Sequence, residues 1–534
     1  MPKLPCHLSR ITTVLSAATL LCGVSAEMAL SAEVPPAPAA RPPELSTPAP
    51  PPLAPPLPPA FPVSEAVPSP AAPAAPAPDE PPPGFVRAPR LDWDSGAGKS
   101  YLIPAIEVPT FLVLLNLFDR VAYPNDREDG KRTYYSTFSS TWEHLHRQNW
   151  EFDKDPFNVN QFAHPYQGAT MYGLARSTGL GFWESWGYSN VGSFLWKMAG
   201  ETTKPSINDM ITTGNAGSLL GEALFRMAGL VLEKDDPPTA GEELGAALIS
   251  PPLGVNRFVF GDRFQPVFPS GRPVHFWQAR FGESLNARIN GISTFDSLRK
   301  SAAFDFMMSY GLPGEPGYHY RRPLDYFDFR ASLLAETHNA VENVMLRGLL
   351  VGKEYQAGDE YRGVWGLYGS YDYISPFEFR VSTTALSLGT TGQLRIAPGV
   401  VLQESVLGGV GFGAAGTTPD PAVGRDYHYG VTPQGILDLR FIFGERALVD
   451  LGVREYYVTG AGSDDSQGTE RIFRGNAGVT IRVWKNHGVG LQYIASIRNA
   501  HYGNRPDLEA SDGTFSLFYT FLGDRTLGAV RWWD

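Results

Sequence analysis

Cysteine is almost absent from this chain of 534 residues: there are two, Cys6 and Cys22, both within the first 32 positions. Once that segment is removed no thiol remains, which excludes disulfides, cysteine–zinc sites and thiol catalysis together. Long apolar runs are missing as well. Beyond the N-terminal segment, no stretch offers the roughly 20 uninterrupted apolar residues of a spanning helix. Tyr101 to Phe118 comes nearest, and Pro104, Glu107 and Pro109 interrupt it. If the chain enters a membrane, it is expected to do so with strands. Lysine and arginine do not cluster among aromatics, and the net charge is −11, so no nucleic acid is expected as a partner.

What is present begins with an export signal. Lys3 and Arg10 precede a charge-poor stretch from Ile11 to Val24, closed by small residues at Val24-Ser25-Ala26 and Leu30-Ser31-Ala32. These are two candidate cleavage points, and residues 1–32 read as a signal peptide. Leu21 stands where a lipoprotein signal needs a small residue, which weighs against acylation of Cys22. Residues 33–84, rich in proline and alanine, cannot bury enough apolar surface to offset chain entropy. They read as a disordered, extended tether that spans the periplasm or touches peptidoglycan.

The C-terminal half, residues 263–534, alternates. Phe327, Phe329, Ala331 and Leu333 oppose Asp328, Arg330, Ser332 and Glu336; Leu437, Leu439, Phe441 and Phe443 oppose Asp438 and Arg440. Val449, Leu451 and Val453 oppose Asp450 and Arg454, while Val489, Leu491 and Tyr493 oppose Gln492. A period of two over about ten residues, apolar on one face and carrying charges of both signs on the other, is the pattern of a strand between lipid and a polar lumen. Turns separate the runs at Gly444-Glu445, at Asn486-His487-Gly488 and over the longer Gly460 to Gly468. Such runs predict about twelve strands. Strands of a soluble β-sandwich alternate too. The aromatic outer faces without helical cover, and an aromatic final strand of Phe515, Leu517, Tyr519 and Phe521 before Trp532-Trp533-Asp534, favour the barrel. Such an end is what the barrel-assembly machinery reads, though Asp534 departs from it.

Residues 85–262 have helical patterning instead. Pro165 suits the first turn of a helix running to about Arg176. A second helix is expected over Trp183 to Ala199, and a third from a capping box at Ser206-Ile207-Asn208-Asp209 to about Glu233. Gly214, Gly217 and Gly221 on the third helix call for close helix packing or for backbone approach by a ligand.

Asp155-Pro156-Phe157-Asn158-Val159-Asn160, His164-Pro165-Tyr166-Gln167-Gly168, Arg176, Gly192-Ser193, Trp196, Glu201, Pro205-Ser206, Asn208-Asp209, Gly217 and Gly221-Glu222 together resemble a bacterial envelope family named only as domain of unknown function 3943, over about residues 149–261. The resemblance implies an envelope protein with a helical module ahead of a barrel and supplies no activity. Glu201, Ser206, Asp209, Gly217 and Gly221 are also similar, more loosely, to VanZ-like and YfiM-type helical motifs, with the aspartate-to-glycine distance one residue longer here.

The candidate site residues come from this module. His164 can serve as a general base or as a polar helix-end group. Asp209 with Ser206 can be a cap, and Asp153 with Asp155 offer a cation two carboxylates without a third spaced ligand, so no metal or other cofactor is expected. Glu222 lies in an apolar stretch and needs a partner, Arg226 four residues on or Arg176. His164, Glu201, Asp209 and Glu222 are thus the catalytic candidates, and Arg176, Ser193, Ser206 and Arg226 the binding ones, expected to line one pocket between three helices.

The fold expected is α+β: a helical module followed by an antiparallel transmembrane β-barrel, exported to the outer membrane and in contact with its lipid. In the leading functional reading the module plugs, gates or docks at the periplasmic side of the barrel. The alternative is an outer-membrane hydrolase or acyl-transfer enzyme acting on lipid A, phospholipid or envelope glycan.

Overall fold

The computed structural model describes residues 88–532, apart from 129, 147–148, 291–293, 336–339, 377–378, 418–424, 462–467 and 504–505. The signal peptide, the tether, Glu336 and the pair Trp533-Asp534 lie outside the described residues, as does most of the Gly460 to Gly468 loop.

Twelve antiparallel strands close into a barrel. They are β1 His275–Asn290, β2 Thr294–Tyr310, β3 Phe327–Leu334, β4 Val341–Ala357, β5 Tyr361–Ile374 and β6 Val381–Ala397, then β7 Val400–Ala415, β8 His428–Phe443, β9 Ala447–Val458, β10 Gly468–Trp484, β11 His487–Tyr502 and β12 Leu508–Leu522. Each pairs with its neighbour in sequence, and β12 pairs back to β1, with Leu517 opposite Glu283. The connection β4–β5, and likewise β6–β7, β8–β9 and β10–β11, takes two or three residues at one end of the barrel. The chain enters β1 and leaves β12 at that same end. The long β2–β3 connection, residues 311–326, also lies at that end, and the longer β7–β8 and β9–β10 connections lie at the other.

Pairing fixes which face each residue takes. On β8, Asp438 and Arg440 point inward, whereas Val431, Leu437 and Phe443 point outward and are exposed. The exposed outer belt continues through Leu386 and Leu388, Val406 and Val410, Val479 and Ile481, and Phe515, Leu517 and Tyr519. Inside, guanidinium groups bridge carboxylates between strands: Arg280 to Asp305 at 2.8 Å, Arg347 to Asp328 at 2.6 Å and also to Asp438, Arg440 to Asp450 at 2.7 Å, and Arg454 to Asp372 at 3.0 Å. These side chains leave a lumen cavity of about 70 Å³, whereas ligand pockets run to about 300–1,000 Å³. At the short-turn end the segment after β12 folds across the mouth. Leu527 and Val530 pack on inward-facing Phe276, Val401 and Ile442, and Gln393 of β6 bonds both Gly528 O at 2.8 Å and Val530 N at 3.1 Å.

The module's helices are α1 Leu102–Ala122, α2 Phe138–His146, α3 His164–Arg176, α4 Phe182–Ala199, α5 Ile207–Ile211, α6 Gly217–Leu232, α7 Ala240–Ile249 and α8 Pro251–Phe260. Pro104 does not stop α1, because it falls in the first turn, where its missing N–H has no intrahelical partner. Pro109 is accommodated on the exposed side. The sequence expectation of an interrupted stretch here is therefore corrected: α1 is a continuous helix of 21 residues. The third expected helix is α5 and α6 joined through a π-helical turn, Thr212–Ala216. Its glycines serve packing: a Cβ on Gly168 of α3 would stand 1.8 Å from Thr213 O, and one on Gly217 would stand 2.6 Å from the Cα of Gly168. The two backbones touch, and no other residue type fits between them.

The module packs on the outside of the barrel. Leu219 of α6 lies against Gly369, an outward position of β5, where a Cβ would be 3.0 Å from its Cδ2. Phe157 stacks on outward Tyr373 at 5.8 Å between ring centres, Tyr371 donates to Gln161 O at 2.6 Å, and Phe152 stacks on Tyr429 at 5.3 Å. The seat runs from Tyr310 and Phe327 at the short-turn end to Ala414 and Tyr429 at the long-loop end. A plug in the lumen would need these contacts on inward residues. The mouth is crossed instead by residues 523–532, so the expected plugging or gating role does not match the contacts. The module meets the barrel because Phe327, Phe329, Tyr371 and Tyr373 make the outer wall apolar and aromatic there.

Candidate functional site

The expected single pocket resolves into two networks. In the first, Glu222 is fully buried on α6 and accepts from Arg176 Nε at 2.8 Å, Arg226 Nε at 2.7 Å and the Tyr172 hydroxyl at 2.7 Å. Burial opposes ionisation, and the two guanidiniums beside the carboxylate offset that cost. Arg226 reaches onward to Asp325 Oδ1 at 2.9 Å and Pro323 O at 2.8 Å, in the β2–β3 connection of the barrel. The Arg176 guanidinium lies 4.6 Å from the ring centre of Phe225 and 4.5 Å from that of Phe268. Two cations around one carboxylate, all buried and hydrogen-bonded, form a strut that ties module to barrel. They leave no reactive atom open.

The second network gathers His164, Glu201, Asp209 and Ser206 with residues the sequence reading passed over. Lys197 of α4 contacts Asp209 Oδ2 and lies 3.0 Å from Glu201 Oε2. Trp196 Nε1 donates to Glu201 Oε1 at 2.6 Å. Ser206 donates to the Asp209 carboxylate itself rather than capping α5, so the capping box does not form as expected: the carboxylate is drawn to Lys197 and His164 instead of the helix end. Asn208 Nδ2 donates to Asp209 Oδ1 at 2.7 Å, and Asn208 Oδ1 accepts from Asp153 N at 3.1 Å. Lys197 stands four residues before Glu201, a spacing that would have found it in the sequence. Ser193 takes no part; it donates to Asp209 O at 3.4 Å.

His164 opens α3. Its Nδ1 lies 3.2 Å from Gln167 Oε1, which sets the ring, and its Nε2 lies 3.3 Å from Asp209 Oδ2 without hydrogen-bond alignment. Asp153 and Asp155 join from the segment before α3, and one ligand atom from each of these two and from His164 lie within 4.8 Å of one another. The fold thus supplies the third donor that the sequence spacing lacked, and a histidine with two carboxylates is a donor set a divalent cation accepts. Asn160, fully buried, holds Asp153 through Nδ2, while its Oδ1 makes no hydrogen bond among the described residues.

The charges do not balance. Burial, with Asp209 and Asp155 nearby, pushes the Asp153 carboxyl well up. Burial and Glu201 raise Asp155 to about 6, although part of that residue is exposed. Burial works against Asp209 too, but His164 and Lys197 hold it well below the usual carboxylate range. The cluster sits at the long-loop end: Tyr427, just before β8, donates to Asp155 O at 2.7 Å, and Arg425 Nη1 donates to Asp153 O at 2.9 Å.

A closed antiparallel barrel with an apolar outer belt and paired charges within is the architecture of a membrane β-barrel protein. The helical module carries a family signature: residues 149–252 match the model described as Domain of unknown function (DUF3943). No curated protein matches the chain. Among solved structures, the NanC porin is similar at 6% identity and a TM-score of 0.24, over 45% of this chain and 98% of that one. OmpT, an outer membrane protein of Vibrio cholerae, gives 8% and 0.20 over 46% and 97%; the outer membrane channel DcaP of Acinetobacter baumannii gives 9% and 0.21 over 46% and 96%. Likenesses this slight carry no argument, and the class rests on the barrel's own geometry.

Proposed function

We propose that the barrel anchors the helical module in the outer membrane, and that the module acts on an envelope lipid from the lipid-facing side as a hydrolase or acyl-transfer unit. The observation that carries this reading is the seat of the cluster around Asp209. It belongs to a module docked on the outer wall, at the end bearing the long loops. Short turns and both ends of the barrel chain mark the opposite end as periplasmic, which sets the cluster toward the outer leaflet. Export by residues 1–32 brings the chain there.

The chemistry that fits is general-base attack at a carbonyl or phosphoryl centre. His164 takes a proton from water or from an acceptor hydroxyl as that oxygen attacks the centre, and returns it to the ester oxygen as the old ester bond breaks and the alcohol departs. Asp209 steadies the imidazolium, and Lys197 offsets negative charge gathering at the reacting centre. A conducting pore has less support, since ion-paired side chains fill the lumen and residues 523–532 cross its mouth.

The test is the purified protein in liposomes of outer-membrane lipid, read for solute flux and, by mass spectrometry, for lipid species. The expected result is no flux, and altered lipids that His164→Ala and Asp209→Asn abolish. Steady flux with unchanged lipids would return the reading to a channel.

A further inference from the structure

The module is layered on the barrel wall, with α6 against the strands, α3 behind it, and α4 and α1 outermost. The outermost layer is unlike the surface of a water-soluble domain. On α1 the large exposed side chains are Leu102, Ile106, Val113, Leu114, Leu117 and Val121, and on α4 they are Trp183, Trp186, Val191, Phe194 and Leu195. Leu102 is 70% and Val121 82% exposed. The charged residues that border these faces are paired: Glu184, in the first turn of α4, meets Lys99 at 3.2 Å, and Arg120, in the last turn of α1, reaches Tyr134 O.

Apart from Asp119 in its last turn, the polar groups of α1 turn away or satisfy themselves. Thr110, on the exposed face, donates to Ile106 O at 2.7 Å within its own helix. Asn116 donates inward to Tyr134 O at 2.9 Å and Gly200 O at 2.6 Å, and Arg120 Nε to Tyr134 O at 2.8 Å. Glu107 faces Asn256. A helix surrounded by water has no need to pair every polar side chain inward, and one in hydrocarbon does.

Length and flanks agree. Twenty-one residues at about 1.5 Å each span about 30 Å, the thickness of a bilayer core. Lys99 and Tyr101 precede the helix, and Arg127, Lys131 and Arg132 with Tyr123 and Tyr135 follow it, the order of interfacial aromatics and water-seeking charge at a membrane boundary. Among the described residues, α1 is the one helix long and apolar enough to cross a membrane.

The seat supplies the independent argument. The strip of wall that the module covers runs between the two ends of the barrel, and it is flanked by the exposed belt, Leu333 toward the long-loop end and Val351 and Leu388, in register through Leu367, toward the other. Whatever lies against that strip lies at the depth of the belt. We infer that the module is itself immersed in the bilayer, with the outer faces of α1 and α4 in contact with lipid acyl chains and continuous with the barrel's belt. The inference rests on the membrane reading of the barrel and extends it to helices.

The chain lends itself to a direct test, since replacing Cys6 and Cys22 leaves it without cysteine. Single cysteines are introduced as Leu117→Cys on α1, Phe194→Cys on α4, Leu388→Cys on the belt and Asp359→Cys in the β4–β5 turn. Each is labelled with a small fluorophore in the full-length protein, reconstituted in phosphatidylcholine vesicles, and exposed to doxyl-labelled lipid or to aqueous iodide. Ile106→Cys and Val191→Cys repeat the measurement at a second site on each helix, and only variants with the barrel's heat-modifiable gel mobility are scored.

The expected result is that labels at 117 and 194 lose most of their emission to doxyl lipid and little to iodide, as at 388, with the reverse at 359. Lipid quenching at 388 with iodide quenching at 117 and 194 overturns the inference and leaves the barrel reading standing. Protection from both quenchers at 117 and 194 overturns it in favour of a protein covering, a second copy or another chain. Absence of lipid quenching at 388 removes the barrel reading, and the inference with it.

Discussion

Buried charge is handled differently in the lumen and in the module. Inside the barrel each of Asp305, Asp328, Asp372, Asp438 and Asp450 meets a guanidinium from another strand. In the cluster at the long-loop end, Asp153, Asp155, Glu201 and Asp209 surround Lys197 and His164. Paired charges in a filled lumen hold a wall in register. A surplus of carboxylate costs stability unless something else uses it, and buried groups kept in costly states are a mark of functional sites. The module's other network, around Glu222, behaves like the lumen, so the distinction lies between completed and incomplete charge sets.

The comparison can be broken by substitution. The largest effect is expected from Glu222→Ala, which takes the carboxylate from the buried Arg176 guanidinium and one of two from Arg226, which keeps Asp325, and should cost about 3–5 kcal/mol. Limited proteolysis would read it as loss of the module while the barrel's heat-modifiable mobility persists; an unaffected module would mean the strut is not what holds it. Arg347→Ala leaves Asp328 and Asp438 without their shared cation. Water entering the neighbouring cavity softens the loss to about 1.5–3 kcal/mol, seen as a lowered urea midpoint for the barrel.

Gly168→Ala drives a methyl into Thr213 O and should cost about 1–3 kcal/mol, through a shift between α3 and the π-helical turn that hydrogen exchange of both would report. The smallest change has the opposite sign. Asp155 has a raised folded pKa, so the native state binds a proton the unfolded chain releases, and stability falls as pH rises from about 4 through about 6. Asp155→Asn should therefore make the module more resistant to protease near neutral pH, with the advantage shrinking on acidification. Asp153, also raised, keeps some slope in the variant. An advantage that grew toward acid would contradict the charge surplus.

Much of the barrel was legible in advance. Alternation at Leu437 to Phe443, Val449 to Val453 and Val489 to Tyr493 named the outward face of β8, β9 and β11 residue by residue, and about twelve expected strands became twelve. The helices from Pro165, from Trp183 and from Ser206 were placed within a residue or two. Helix α1 was not, because an apolar count stops at Glu107 and Pro109, whereas a helix tolerates an inward glutamate and an outward proline. The Glu222 partners were anticipated. Its separation from His164 and Asp209 was not, since spacing along a chain says which residues share a helix face and not which helices face each other.

The sequence by itself determined every feature set by near neighbours: the two-residue period of the strands, the helix starts, the short and long connections and the Glu222–Arg226 pair four residues apart. Those follow from local geometry that repeats whatever lies beyond it. Only the tertiary structure decided that the module lies outside the barrel, that the C-terminal segment crosses the mouth, and that Asp153, Asp155 and His164 converge. Each depends on which of two similarly apolar surfaces meet, and burial of apolar area is non-directional. Closure of the barrel fixes the inside, and the aromatic strip of β3 to β8 then selects the module as its cover.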